Sequence, residues 1–287
     1  MEFKELDKTG VKIPVIGLGT WGIGGGFWVP DCSNMDVMIK LIREAIKMGY
    51  TMIDTAEMYG GGCSERIVGE AIKGLPRDEL FIISKVWPTH ARYDDVLKSA
   101  KASSNRLGTY IDLYMIHWPA RDVPIKETMQ AMEELVDEGV IRYIGVSNFD
   151  VVELEEARRS ISRHSVVADE VRYNLLDRDV EKDLIPHAER EGITIIAYSP
   201  LGTGSILRPG SRERKLLEEV GSKYNKTPAQ VLLNWVISKP NVVAIPKAAR
   251  LEHLSENMGA VGWRLDDDDV KKLEQLYTIE WQSKEKQ

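Results

Sequence analysis

Four residues, each at or just after the end of an apolar run, have the chemistry to move one proton: Asp54, Tyr59, Lys85 and His117. A free tyrosine has a pKa near 10 and is a poor acid at neutral pH. A neighbouring ammonium favours the phenolate and lowers that pKa. A buried lysine is costly unless a carboxylate pairs with it, and Asp54 can do so. An imidazole can then orient a carbonyl or share the proton. In the stretch YTMIDTAEMYGGG, Tyr50 to Gly62, three glycines follow the tyrosine and let the loop carry the phenol over a pocket. Such a tyrosine suits protonation of a carbonyl oxygen while something else attacks the carbon. With no evident metal cluster and no activated cysteine, the most compatible attacker is a hydride from a nicotinamide.

These residues need a frame. Short β-branched runs alternate with longer stretches of helical periodicity, the pattern of βα units and a parallel sheet. The runs are Val15–Leu18, Thr51–Asp54, Leu80–Lys85, Ile111–His117, Ile141–Ser147, Val166–Glu170, Ile193–Ser199 and Val242–Lys247. Between them, Met38, Leu41, Ile42, Ala45 and Ile46 have the spacing of one buried helical face. Thr227 and Pro228 read as the cap and first residue of a helix, and Ser64 as another cap. Residues 211–224 and 266–277 read as two extra helices, one before the seventh barrel helix and one at the C-terminus. Asp266–Asp269 supplies the acidic first turn of the second.

Eight strands, each followed by a helix, predict an α/β fold, a (β/α)8 TIM barrel, with residues 1–287 as one domain. A barrel's active site lies at the C-terminal ends of its strands. There the sequence places Gly19, Thr20 and Trp21, then Asp54, Lys85, His117, Ser147 and Asn148, Glu170, Tyr198 and Ser199, and Lys247. A purely structural barrel has no need of so many polar groups at one end.

Composition narrows the class. Hydrophobic residues at 43% and charged residues at 29% suit a soluble globular chain rather than a disordered one. The net charge of -7 argues against nucleic acid or an anionic membrane as partner. No apolar run approaches the roughly 18 residues of a membrane span. The N-terminus lacks the blocks of a signal peptide. Cys32 and Cys63 are too few for a disulfide framework or a closed cysteine-type zinc site. Together these points favour the cytoplasm.

The sequence resembles the aldo-keto reductase family over nearly its whole length. The likeness is carried by GLGTWGIGG (17–25), IDTAEMYGGGCSERIVGEAI (53–72), ISKVW (83–87), DLYMIHWP (112–119), GVIRYIGVSNF (139–149), VRYNLLDR (171–178), AYSPLGTG (197–204) and AIPKAARLEHLSEN (244–257). It implies reduction of aldehydes or ketones by NADPH or NADH without a metal. Asp54, Tyr59, Lys85 and His117 match the catalytic tetrad, with Tyr59 as general acid. Ser147 and Asn148 match the pair that holds the nicotinamide carboxamide, and Tyr198 the aromatic that stacks on its ring. Ser199, Leu201, Gly202 and the following loop match the segment that runs over the pyrophosphate. Lys247, Arg250, His253, Glu256 and Asn257 match the adenosine end and the 2'-phosphate site. The implied cofactor set also includes Gly19, Thr20, Trp21, Asp54, Glu170, Ile245, Pro246 and Ala248. Trp21, Trp87 and Trp118, with Tyr59 and His117, match the substrate pocket.

Three departures qualify the resemblance. Glu170 stands where the family often has glutamine, and an ionised carboxylate can only accept hydrogen bonds. Ala248 replaces a hydroxyl found in many NADPH-preferring members, and His253 replaces an arginine, so NADH also enters as a cofactor. The loop after His117 and the C-terminal tail are short, which predicts an open pocket.

Other features read as structural. GLGTWG has the form of the dinucleotide fingerprint, but a glycine-rich loop rather than a helix follows it. Taken singly, Lys85 suits a surface lysine and His117 a satisfied core histidine; their strand-end positions and the family motif favour function. Cys63 reads as a bystander, and His90, His164 and His187 as solvated. A metal-dependent hydrolase using Asp54, Glu57, His117 and Glu170 is the more distant alternative, since such sites normally need several histidines. A noncatalytic nicotinamide-binding regulatory subunit would keep the cofactor site but lose part of the tetrad. The reading is completed by a small carbonyl substrate and a monomer or small homo-oligomer.

Overall fold

A computed structural model describes residues 1–284, with side chains through residue 276. The chain opens with a hairpin, β1 (Phe3–Glu5) and β2 (Lys12–Pro14), paired antiparallel. Eight parallel strands follow: β3 (Leu18–Gly19), β4 (Met52–Asp54), β5 (Phe81–Val86), β6 (Ile111–Ile116), β7 (Ile141–Ser147), β8 (Val166–Arg172), β9 (Thr194–Tyr198) and β10 (Val242–Ala244). They pair in chain order. The first and last close on each other: Ile16 bridges Ala244, and the Gly17 N–H donates to the Ala244 carbonyl at 2.8 Å. Gly19 sits at this seam, where an added Cβ would fall 2.7 Å from the Ile245 carbonyl oxygen.

The helices are α1 (Met35–Lys47), α2 (Cys63–Ile72), α3 (Tyr93–Leu107), α4 (Ile125–Asp137), α5 (Val151–Arg159), α6 (Leu184–Glu191), α7 (Arg212–Tyr224), α8 (Pro228–Ile237), α9 (Leu251–Met258) and α10 (Asp267–Lys284). The two extra helices are α7 and α10, as the sequence predicts. Thr227 caps α8 in a capping box with Gln230, with Pro228 in the first turn. Ser64 is not a cap: α2 starts at Cys63 behind a left-handed Gly62. The Ser64 hydroxyl instead bonds the hydroxyls of Thr20 (2.8 Å) and Thr55 (2.9 Å), joining the first two strand ends.

The period of two along each strand sorts the side chains. Met52, Ile83, Leu113, Met115, Ala168, Ile196 and Val243 fill the barrel interior, with Leu6 and Ile13 of the hairpin joining them. Alternate residues such as Ile53, Ile82, Tyr114, Ile116 and Val146 pack under the helices. The hairpin plugs the N-terminal end. Its Lys4 ammonium donates to the carbonyls of Ile237, Lys239 and Val242 at 2.5–2.7 Å, and the Asp7 N–H donates to the Thr194 hydroxyl. The opposite end is left open for a site.

Candidate active site

Strand parity delivers the key side chains. Asp54 is two residues beyond Met52, Lys85 two beyond Ile83, His117 two beyond Met115, and Glu170 two beyond Ala168. Each therefore continues an interior-facing row at the C-terminal end of its strand. All four are buried, with Lys85 fully so.

Tyr59 reaches the same place by a loop. Its backbone bridges Phe27, and the Gly60 N–H donates to the Gly26 carbonyl at 2.8 Å. Trp28 N–H donates to the Met58 carbonyl at 3.0 Å. Gly60 has φ +58, and a Cβ there would lie 1.9 Å from the Gly24 carbonyl oxygen. The close approach of two glycine-rich loops explains the residues after Tyr59. A Cys32–Cys63 disulfide, with Cα atoms 6.2 Å apart, ties the same two loops together. Cys63 is thus no bystander, and the cysteine content no longer argues for a reducing compartment.

Lys85 Nζ is the hub. It donates to the Asp54 carboxylate, stands 3.2 Å from Glu170 Oε2 and lies 3.5 Å from the Tyr59 hydroxyl. Burial opposes its charge, but Asp54 and Glu170 outweigh that and raise its pKa. Burial raises the Tyr59 pKa, and Lys85 only partly offsets the rise. The net direction is upward, opposite to the lowering that the Lys–Tyr pairing alone predicts. Tyr59 therefore holds its proton at neutral pH, as an acid must before it donates. Burial and the Lys85 charge push His117 well below its ordinary pKa, so its imidazole is neutral. Its ring meets Tyr59 edge-on at 5.7 Å and Trp87 at 5.2 Å.

Above this group lies a cavity of 670 Å³. It is lined by Gly19, Trp21, Asp54, Tyr59, His117, Trp118, Ser147, Asn148, Glu170, Tyr198, Ser199, Leu201, Ile245, Pro246 and Lys247, all named from the sequence. Asn148 donates to the His117 carbonyl (3.0 Å) and to the Ser147 hydroxyl (2.9 Å), while the Tyr198 hydroxyl donates to Asn148 Oδ1 (2.8 Å). Asn148, Ser199 and Thr203 all have positive φ, a strained conformation that tends to gather at functional sites. Trp21 and Trp118, 45% and 44% exposed, leave the mouth open.

Other named residues stand outside the cavity wall. Thr20 is buried, donating to the Asp54 carbonyl at 2.8 Å. Gly202 and Ala248 are buried behind the lining. Arg250 is the N-cap residue of α9, with His253 exposed, Glu256 half-buried and Asn257 buried on that helix. Trp87 packs behind His117 and against Phe27, with ring centroids 5.0 Å apart. Thr203, Gly204 and Leu207, on the loop expected over the pyrophosphate, also line the cavity, as do Met58 and Pro200, which were not singled out from sequence. Phe27 and Trp28, two adjacent aromatics after a run of glycines, pack against Trp87 rather than line the cavity.

Glu57 does not join Asp54 and His117. It accepts from the Trp87 N–H at 2.7 Å and pairs with His90 Nδ1 at 2.9 Å. No cluster of histidine, cysteine and carboxylates suited to a metal occurs among the described residues. His164 and His187 are likewise paired rather than simply solvated, each 2.9 Å from a carboxylate, Asp137 and Glu155 respectively. No helix among the described residues is long and apolar enough to cross a membrane.

A closed parallel barrel whose mouth gathers a lysine-paired tyrosine and a neutral histidine defines a barrel oxidoreductase. The chain belongs to the aldo/keto reductase family, whose sequence model matches residues 15–278. It is 37% identical to the methylglyoxal reductase YeaE of Escherichia coli over 279 residues, covering 96% of each chain. It is 36% identical to the glyoxal reductase of Bacillus subtilis over 270 residues, 93% of this chain and 90% of that one. Among solved structures, a thermostable aldo-keto reductase in complex with the inhibitor epalrestat is 50% identical, with a TM-score of 0.91 over 96% of this chain and 100% of that one. An aldo/keto reductase from Klebsiella pneumoniae in complex with NADP and acetate is 36% identical, with a TM-score of 0.85 over 96% and 95% of the two chains.

Proposed function

We propose that this chain reduces small reactive aldehydes and ketones, with α-dicarbonyls of the methylglyoxal and glyoxal kind as the first substrates to test. NADPH is the preferred cofactor, with NADH also accepted. The observation that carries the reading is the placement of the Lys85 ammonium against Asp54 and 3.5 Å from the Tyr59 hydroxyl, beside His117 under an open cavity. The donor set suits a nicotinamide cofactor: a side-chain amide at Asn148, a half-exposed tyrosine ring at Tyr198, and a cationic end at Lys247. Among the described residues, Lys247 and Arg250 form no ion pair and are exposed, which fits them to a phosphate.

When bound, the nicotinamide supplies the hydride for the carbonyl carbon. Tyr59 donates its proton to the carbonyl oxygen. Lys85 offsets the charge left on the phenol oxygen, and Asp54 holds Lys85 in place. His117, neutral, orients the carbonyl by hydrogen bonding. Ser147 and Asn148 hold the carboxamide, Tyr198 supports the ring, Ser199, Leu201 and Gly202 follow the pyrophosphate, and Lys247 and Arg250 read the 2'-phosphate. The 1–287 chain acts as one barrel domain, as a monomer or small homo-oligomer.

The test is a panel of aldehydes, ketones and α-dicarbonyls with NADPH and with NADH, run on the wild type and on Tyr59→Phe. Removing only the phenolic proton should leave cofactor binding intact and cut reduction by about 100- to 10,000-fold. Near wild-type turnover in Tyr59→Phe would defeat the mechanism, and a wild type that binds cofactor but reduces nothing on the panel would favour a noncatalytic subunit.

A further inference from the structure

Two buried carboxylates face one buried ammonium at the barrel mouth. Lys85 Nζ contacts Asp54, which ends β4, and stands 3.2 Å from Glu170 Oε2, on β8. Asp54 and Glu170 are each almost wholly excluded from water, and both face the same ammonium. One ammonium can offset only one of two buried carboxylates, so burial disfavours the ionised form of the second. The Glu170 Oε2 atom accepts no hydrogen bond. The remaining titratable groups around Glu170 are Tyr59 on the loop after β4, His117 after β6 and Tyr198 on β9. His117 is neutral, so Lys85 is the cation available to both acids. Lys247 lines the same cavity but makes no ion pair with either.

We infer that Glu170 is held as a protonated carboxylic acid in the working enzyme, and that it acts as a positioning residue which sets the net charge seen by Tyr59 through Lys85. This inference rests on the reading of Tyr59 as the acid. With Glu170 protonated, the Asp54–Lys85–Glu170 group is neutral. With Glu170 ionised, it carries one net negative charge. Reduction leaves negative charge on the Tyr59 oxygen, so an ionised Glu170 opposes the step. The direction of the titration agrees: burial and the Asp54 charge push the Glu170 pKa well up, against the pull of Lys85. A protonated carboxyl can both donate and accept, so in this form Glu170 also meets a carboxamide as an amide side chain would.

Two measurements on the full-length chain test this. In the first, glutamate is labelled with ¹³C at the carboxyl carbon. The resonance absent from Glu170→Gln, or from Glu170→Met if the first variant is insoluble, belongs to Glu170. It should report a protonated group at neutral pH and titrate above the ordinary glutamate range. Titration within that range overturns the inference. This arm needs no turnover, so it decides the point even if the carbonyl-reductase reading fails. In the second, the pH profile of reduction is compared for the wild type and Glu170→Gln. Wild-type kcat should fall as pH rises through the Glu170 ionisation, and the variant should hold its kcat to higher pH by about one unit or more, with a smaller change in the KM for NADPH. Superimposable kcat profiles, or a change confined to KM, overturn the charge-setting role.

Discussion

The Lys85 ammonium lies 3.5 Å from the Tyr59 hydroxyl, yet the two residues arrive from different kinds of structure. Lys85 continues the interior row of β5, whereas Tyr59 hangs from a loop pinned by Gly60 and the 24–28 segment. Their contact joins the rigid barrel to the loop that carries the proton.

Lys85→Met removes the cation shared by Asp54, Glu170 and Tyr59. Reduction should fall at least as far as in Tyr59→Phe, because the phenol loses the charge that offsets its anion. Stability should fall too, with an upper limit of about 3–5 kcal/mol for breaking a buried ion pair. Both carboxyl groups already have raised pKa values, and loss of Lys85 raises them further. A raised folded-state pKa gives stability that is present below the unfolded value and lost as pH rises through the folded one. Denaturant melts should therefore show a larger deficit at pH 8 than at pH 5. A deficit independent of pH would mean that these acids do not take up the proton.

Lys247→Ala tests the choice of cofactor. A charge-assisted contact contributes about 1.5–3 kcal/mol, or about ten- to a hundredfold in affinity. Fluorescence titration should show that loss for NADPH and much less for NADH. Equal losses for both would move the phosphate contact elsewhere.

Gly60→Ala tests the loop seam. The new methyl would enter the Gly24 carbonyl at a backbone angle that side chains rarely adopt. The seam must open, displacing Tyr59, for about 1–3 kcal/mol of stability. A shift of about 1 Å at the acid can cost about a hundredfold in rate. Steady-state kinetics should show the loss in kcat, with a folded far-UV circular dichroism spectrum. Unchanged kcat would separate the seam from the chemistry.

Asp169→Asn is a stability prediction away from the cavity. Asp169 neighbours Glu170 but has the opposite strand parity, so it faces the helix layer. It is fully buried, and neither oxygen makes a full hydrogen bond, although the nearby Phe149 N–H favours its charged form. Burial raises its pKa well above the ordinary value, with Glu153 and Asp150 adding to the rise. By the same sign as above, its ionisation costs stability as pH increases. Asn removes that cost, so the variant should gain on the wild type between pH 5 and pH 9, by about 1.4 kcal/mol per unit of pKa shift. A constant difference across that range would mean that burial does not raise the Asp169 pKa.

The alternation of β-branched runs and helical periods was enough to determine eight βα units, because strand and helix periods are local properties of the chain. The same periodicity placed Asp54, Lys85, His117 and Glu170 at the mouth, since a residue two beyond an interior position is itself interior. The capping residues were local too, and Thr227 and Pro228 were legible for that reason. Ser64 was not, because its hydroxyl serves two other strand ends that only the closed barrel brings near. Tertiary structure alone brought Cys63 to Cys32 and turned Glu57 away to His90. It also decided the protonation balance. Residue types alone pair Lys85 with Tyr59 and lower the phenol, but burial is a property of the whole fold. In this barrel burial outweighs the ammonium at Tyr59 and brings a second carboxyl group to share it.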